Sequence, residues 1–187
     1  MPFGRWIWLM LAVCVAASPA FAAGGRRANR EYGFSVDFPP GLAICPNGSW
    51  RHAHGWGAAL DGRCDPAART DENRRAIGVV GDYNLDSRTP ADAAGCQGRE
   101  LASGAKLGLG FPGRPSATCR EDHADGWILI TVVAQAGRQA PDADDPTGVL
   151  PRINYRADLT TTPRMLRRDI ETFRRVLASV RIHPARD

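Results

Sequence analysis

The distribution of cysteines constrains the fold of this chain more than any other feature. The 187 residues include five cysteines, and four of them follow an N-terminal segment with the properties of an export signal: Cys45, Cys64, Cys96 and Cys119. In an oxidising compartment, an even number of cysteines most simply forms disulfides, although four cysteines permit three pairings. We favour Cys45–Cys64 and Cys96–Cys119, since each pair brackets one local unit. The chain has no C-x-x-C motif, which argues against a thiol oxidoreductase.

The export signal occupies residues 1–22. Arg5 provides a basic start, Trp6–Ala17 is an apolar stretch that is short for a membrane span, and residues 20–22 (A-F-A) fit a small–x–small cleavage pattern. No later segment is long and apolar enough to cross a membrane. We therefore expect cleavage after residue 22 and a periplasmic or secreted protein.

The remaining chain is long enough for one domain with a sizeable core. We predict a flexible leader at 23–30, a single α+β domain at 31–183 and a short tail at 184–187. The formal net charge of the chain is +4, and 24 residues are Lys or Arg. Almost all of these are arginines spread along the chain, which we attribute to composition bias rather than to anion binding. Basic and aromatic residues are not interleaved, so nucleic-acid binding is not expected.

Period-two alternation predicts most of the strands. In Tyr32–Phe38 the apolar residues Tyr32, Phe34, Val36 and Phe38 alternate with small or polar ones, and Pro39-Pro40-Gly41 ends the strand. In Trp127–Ala134 both faces are apolar, which indicates a strand that is covered on each side. Further strands are predicted at Leu42–Cys45, Trp56–Leu60, Ile77–Tyr83, Lys106–Gly110, Ser116–Glu121, Gly126–Gln135 and Val149–Leu159.

Two helices are predicted. Thr89-Pro90 provides an N-cap and a first-turn proline for a helix that ends near Ser103. Thr162-Pro163 opens a second helix, whose apolar stripe is Leu166, Ile170, Phe173, Leu177 and Val180. We therefore predict an α+β fold in which a mainly antiparallel sheet is sandwiched by helices at Pro90–Ser103 and Pro163–Ser179, as a single domain with two disulfides.

The two ends of this domain resemble a known group. The opening Y-G-F-S-V-D-F-P-P-G at 32–41 and the closing D-I-E-T-F-R-R-V-L-A-S-V-R-I at 169–182 are similar to the PsbP/Mog1-like α/β/α sandwich group. That resemblance implies the same order of strands and helices, and a non-catalytic binding or assembly role. It covers the two ends only.

The segment Ser49–Cys64 contains the candidate metal ligands. If it is extended, His52 and His54 lie on one face, where two imidazoles can share one Zn or Cu ion. A third ligand would come from Asp61, Asp65 or His123. The alternative is a loop whose histidines are solvated or hydrogen-bonded, because the spacing matches no standard zinc motif.

Aromatic residues provide the candidate binding surface. Trp50, Trp56 and Tyr83 are amphipathic aromatics near arginines, which protein interfaces concentrate. A hydrolase would need Ser, His and an acid together, yet no serine lies in a Gly-x-Ser-x-Gly motif, and the segment around His123 is typical of a turn.

These patterns lead to three functional hypotheses. The first is an exported, non-catalytic protein-binding domain of the cell envelope, with an immunity or inhibitor type of role, whose partner is another envelope or secreted protein. The second is a periplasmic metal-binding protein that uses His52 and His54. The third is an unrecognised hydrolase.

Overall fold

The structure, a computed structural model, describes residues 24–45, 54–64, 75–86, 88–136 and 152–183. Several predictions from the sequence lie outside these residues. They are the export signal at 1–22, the tail at 184–187, the metal ligand His52, the possible third ligand Asp65 and the surface residue Trp50.

Nine strands and three helices lie within the described residues. In chain order they are β1 (Arg26–Asn29), β2 (Phe34–Asp37), β3 (Ala43–Cys45), β4 (Gly55–Ala59), β5 (Ala76–Asn84), α1 (Pro90–Ala93), α2 (Gly98–Ala105), β6 (Ser116–Asp122), β7 (Ile128–Ala136), β8 (Arg152–Thr161), α3 (Leu166–Ser179) and β9 (Arg181–Ile182).

The strands form two sheets. The large sheet has the order β3-β4-β5-β8-β7-β6, and the small sheet has the order β1-β2-β9. Neighbouring strands pair antiparallel in both sheets. The predicted α+β class with mostly antiparallel strands is therefore confirmed, and the small sheet is an addition to it.

The small sheet and α3 cover one face of the large sheet, which we call the core face. Phe34 of β2 contacts the ring of Tyr155 on β8, with ring centroids 6.0 Å apart. Phe173 and Leu177 of α3 are fully buried in the same cluster. The stripe predicted for the last helix therefore does pack on a sheet, and its burial is the main source of stability for this layer.

The opposite face of the large sheet carries α1, and we call it the α1 face. Val133 of β7 packs there with Ala94 and Cys119. Because side chains alternate along a strand, Val132 and Ala134 lie on the core face, so β7 is covered on both sides as predicted.

Both predicted disulfides are present. Cys45–Cys64 joins β3 to the chain beyond β4 with a Cα–Cα distance of 5.4 Å, and Cys96–Cys119 joins the α1–α2 connection to β6 at 5.7 Å. Each bond closes a local loop, with sequence separations of 19 and 23 residues. Disulfides that close loops of this length stabilise a domain mainly by restricting the conformations of its unfolded chain.

The predicted flexible leader at 23–30 is wrong for Arg26–Asn29. These residues form β1, whose backbone pairs with β2 from Arg26 opposite Asp37 to Asn29 opposite Phe34. The strand lies at the edge of its sheet, where main-chain hydrogen bonds suffice and no apolar alternation is required. Its polar composition therefore carries no sequence signal for a strand.

The predicted helix and strand boundaries need three further corrections. The helix at Pro90–Ser103 is divided into α1 and α2, because Gly95 adopts a left-handed φ of 70° and ends the first turn. Lys106–Gly110 forms no strand and connects α2 to β6. The last helix begins at Leu166, after a turn at Pro163–Met165.

Candidate functional site

A groove of about 710 Å³ lies between the end of β2 and the start of α3. Pro39 and Pro40 end the strand and form one wall, and Gly41, at a φ of 90°, turns the chain towards β3. The other wall is the first three turns of α3 and the two residues before it. Apolar side chains from three separate segments line the groove between these walls: Leu42, Leu60 and Met165.

Arginines surround this apolar lining, and we call the feature the arginine groove. Its arginines are Arg75, Arg164, Arg167, Arg168 and Arg175. Arg168 and Arg175 are seven residues apart on α3 and so project from the same face. The buried residues of α3, such as Phe173, occupy the opposite face. Packing of α3 on the sheet therefore turns its arginines outward into the groove.

The positive charge of the arginine groove is largely uncompensated. Arg164, Arg167, Arg168 and Arg175 are exposed, and none forms an ion pair with a residue that the structure describes. The nearby carboxylate of Glu171 is paired with Arg174. Four guanidinium groups without a counter-ion among the described residues therefore line one concave surface.

The amino end of α3 adds to the positive electrostatic potential of the arginine groove. Met165 occupies the N-cap position and has no side-chain acceptor for the free backbone N–H groups of the first turn. The helix dipole places a partial positive charge at that end. It therefore reinforces the field of Arg164 and Arg167.

Arg75 differs from the other arginines because it is held in place. Its Nε donates to Asp169 Oδ2 at 2.8 Å, and its Nη2 donates to Asp169 Oδ1. The Thr161 hydroxyl donates to the same carboxylate, which is 1 % exposed. The hydrogen bonds that Arg75 donates to Asp169 raise the pKa of its guanidinium, and their effect outweighs that of its partial burial. The arrangement fixes a permanently charged group at the groove wall.

Sequence reasoning missed this site. Arg75 immediately precedes β5 and Asp169 lies in α3, 94 residues further along the chain. Arginine pairs along α3 look like an ordinary solvated helix face. One signal was available: Asp169 is an acid on the face of the predicted helix that also carries Phe173, and a charge there requires a partner.

The predicted metal ligand His54 is hydrogen-bonded to a buried tyrosine in the structure. It precedes β4, and its Nδ1 lies 2.7 Å from the Tyr32 hydroxyl and 3.9 Å from Glu31 Oε1. The ring of Tyr32 is buried against His54 and Tyr83. Burial and the neighbouring Glu31 carboxylate raise the pKa of the Tyr32 phenol well above 10.0. The phenol is therefore neutral and hydrogen-bonds His54.

No cluster of three potential metal ligands occurs among the residues that the structure describes. Of the predicted third ligands, Asp61 accepts a hydrogen bond from the Arg63 backbone, and His123 lies 3.8 Å from Glu121. Asp65 and His52 lie outside the described residues. The paired-histidine site therefore stays a prediction.

Trp56 and Tyr83 both pack against the core cluster. The Trp56 ring lies 5.8 Å from the Arg27 guanidinium, and its Nε1 has no hydrogen-bond partner in the described part of the chain. The Tyr83 ring lies 5.1 Å from that of Tyr32. Core packing explains both residues, and their use as partner anchors stays a prediction.

The structure contains one serine–histidine contact that was not predicted. Ser35 Oγ lies 3.1 Å from His183 Nε2 and also accepts from Arg26. Ser35 is 2 % exposed, and no carboxylate of a described residue pairs with His183. His123 contacts no serine within the same ranges and lies in the β6–β7 turn, as predicted. Neither histidine has the surroundings of a hydrolase site.

Among the described residues, no helix has the length and apolar character needed to span a membrane. The chain matches no family model, and a comparison with curated proteins found no significant match.

Proposed function

We propose that this protein is exported and acts without catalysis, by binding an acidic segment of another protein in the arginine groove. The observation that carries the proposal is that the fixed Arg75 and four guanidinium groups with no ion-pair partner in the described part of the chain line one groove with an apolar interior. Arginine is the residue best suited to bind carboxylates, because its planar group offers two parallel donors.

The lining of the arginine groove suits a polypeptide better than a simple anion. Leu42, Leu60 and Met165 provide apolar contact, while the arginines lie around them. Protein interfaces have this anatomy, with an apolar centre and a polar rim. A peptide that alternates acidic and apolar side chains satisfies both parts of the groove.

The fixed position of Arg75 favours affinity. Its side chain is 21 % exposed and is held by two hydrogen bonds to a buried carboxylate. A guanidinium that is already ordered loses little rotamer freedom when a ligand binds. Arg75 is therefore the anchor of the groove, and the exposed arginines of α3 steer the ligand towards it.

The two disulfides support an extracytoplasmic location for this interaction, since such bonds persist in oxidising compartments. The partner is then another envelope or secreted protein. An inhibitor or immunity type of role fits, because it requires binding alone.

The first test uses a synthetic peptide. A fluorescein-labelled peptide that alternates glutamate and leucine is titrated with the mature protein, and anisotropy gives the Kd. Arg167→Ser/Arg168→Ser should weaken binding by roughly tenfold, since each lost exposed pair is worth up to about 1 kcal/mol. Raising the salt concentration should weaken binding mainly by slowing association.

The matched control is Arg99→Ser/Arg114→Ser. Both arginines are exposed and line other cavities, and the change in net charge is the same. Unchanged affinity in this control supports the groove as the site. Equal loss in both variants would mean nonspecific attraction and would refute it. Binding of inorganic polyphosphate without binding of the peptide would refute a protein partner.

A further inference from the structure

The α1 face carries a second, separate group of polar residues. Strands β5, β8 and β7 are neighbours there, and their registers align side chains in three rows. The rows are Asp82, Asn154 and Gln135; then Val80, Arg156 and Val133; then Gly78, Asp158 and Thr131.

A cavity of about 660 Å³ opens over the first two rows, and we call it the α1-face cavity. Its apolar wall consists of Val80, Val133 and Ala93. Its polar wall consists of Asp82, Asn154 and Arg156. Small-molecule sites have this size and this mixture of apolar lining with a few converging polar groups.

Arg156 is oriented by the third row. Its Nε donates to both carboxylate oxygens of Asp158, at 2.9 and 2.8 Å, and the Thr131 hydroxyl donates to Asp158 Oδ1 at 2.7 Å. Asp158 and Thr131 are buried. The Nη1 and Nη2 groups of Arg156 have no hydrogen-bond partner within the described ranges. Two parallel donors are therefore left for a ligand, in the geometry that binds a carboxylate.

Asn154 provides a third donor. Its Oδ1 accepts from Gln135 Nε2 at 2.8 Å, which leaves its Nδ2 group as a donor two residues from Arg156 on the same face. Asp82 lies directly opposite Asn154. Its side chain is exposed, and its carboxylate forms no ion pair in the part of the chain that the structure describes.

The position of Asp82 restricts the class of ligand. A simple anion bound to Arg156 would be repelled by the Asp82 carboxylate, whereas a ligand that also carries an ammonium group would be attracted by it. Among the described residues that line the cavity, the only other titratable one is His54, whose Nδ1 is hydrogen-bonded to Tyr32. We propose that the α1-face cavity binds a small zwitterion of the amino-acid or short-peptide type, with its carboxylate on Arg156 and Asn154 and its ammonium on Asp82.

The test is an NMR titration of the isotope-labelled mature protein, following the side-chain amides of Asn154 and Gln135. The probes are L-alanyl-L-alanine, L-alanine, acetate and ethylamine. At least one zwitterion should shift these amides, and acetate and ethylamine should bind at least about tenfold more weakly. Arg156→Lys keeps the charge but loses the paired donors, so it should weaken zwitterion binding by roughly tenfold.

Asp82→Asn is the second variant. Because the side chain of Asp82 is exposed, this substitution should leave folding unchanged. It should weaken zwitterion binding and abolish the preference over acetate. Arg152→Lys, on the same strand but outside the cavity, is the matched control and should bind like the parent protein. Absence of shifts at the two amides, equal binding of acetate, or binding that persists in both cavity variants would overturn the proposal.

Discussion

The ion pair between Asp169 and Arg75 should contribute strongly to the free energy of unfolding. Replacing Asp169 with alanine removes a carboxylate that is 1 % exposed and accepts from both Arg75 and Thr161. The Arg75 guanidinium then remains partly buried without its counter-ion, and the buried Thr161 hydroxyl loses its acceptor. We therefore expect Asp169→Ala to destabilise the folded protein strongly.

The magnitude follows from burial. Removing one partner of a buried ion pair costs about 3–5 kcal/mol. Arg75 retains 21 % side-chain exposure, so water relieves part of that cost. We expect a loss of about 2–4 kcal/mol, which for a domain of this size lowers Tm by roughly 5–15 °C.

The assay is a double-mutant cycle by urea denaturation under non-reducing conditions. Asp169→Ala, Arg75→Ala and the double variant should give a coupling free energy of about 2 kcal/mol or more. Glu171→Ala, which breaks the exposed pair with Arg174 on the same helix, is the control and should cost less than about 1 kcal/mol. A coupling below about 0.5 kcal/mol would place Arg75 and Asp169 among ordinary surface pairs and would contradict the description of Arg75 as a fixed anchor.

Two further predictions concern the disulfides and the buried tyrosine. The variant Cys45→Ala/Cys64→Ala should lose about 3 kcal/mol of unfolding free energy, because its loop becomes unrestricted in the unfolded chain; an unchanged denaturation midpoint would contradict this. The pKa of Tyr32 is raised above 10.0 in the folded state, so the unfolded state binds fewer protons above about pH 10 and stability should fall as pH rises there. Urea denaturation at increasing alkaline pH checks this slope, which should disappear in Tyr32→Phe.

The strands with apolar alternation could be predicted from the sequence because their physics is local. Tyr32–Phe38 shows which side chains are buried, and Phe34 and Val36 are indeed fully buried. The disulfides could be predicted for the same reason, since each links cysteines about 20 residues apart. By contrast, β1 carries no apolar signal, because the hydrogen bonds that hold an edge strand belong to the backbone.

The candidate sites could not be predicted, because they depend on contacts between distant segments. Arg75 meets Asp169 only after α3 packs on the core face. Arg156 and Asp158 look like an alternating surface strand until the register places Thr131 opposite Asp158. Trp56 packs against the core cluster and His54 is hydrogen-bonded to Tyr32, while their roles as a binding anchor and a metal ligand stay predictions.

The two cavities share one construction, and this similarity supports reading both as binding sites. In each, an arginine at the cavity wall is held through its Nε by an aspartate, and a threonine hydroxyl donates to that same aspartate. Burying a carboxylate in this way costs free energy that an apolar residue would not. The carboxylate fixes the orientation of the arginine and leaves at least one terminal nitrogen without a hydrogen-bond partner among the described residues, which lowers the entropy cost of binding a ligand there. The two triads share β8, which carries Thr161 of one and both Arg156 and Asp158 of the other. Side chains alternate along this strand, so the triads lie on opposite faces of the large sheet, and substitutions in one should leave ligand binding at the other unchanged. This independence distinguishes two binding sites from a purely structural role of the triads. If the role is structural, a substitution in either triad should reduce ligand binding at both sites. If the triads serve two binding sites, each substitution should reduce ligand binding at its own site only.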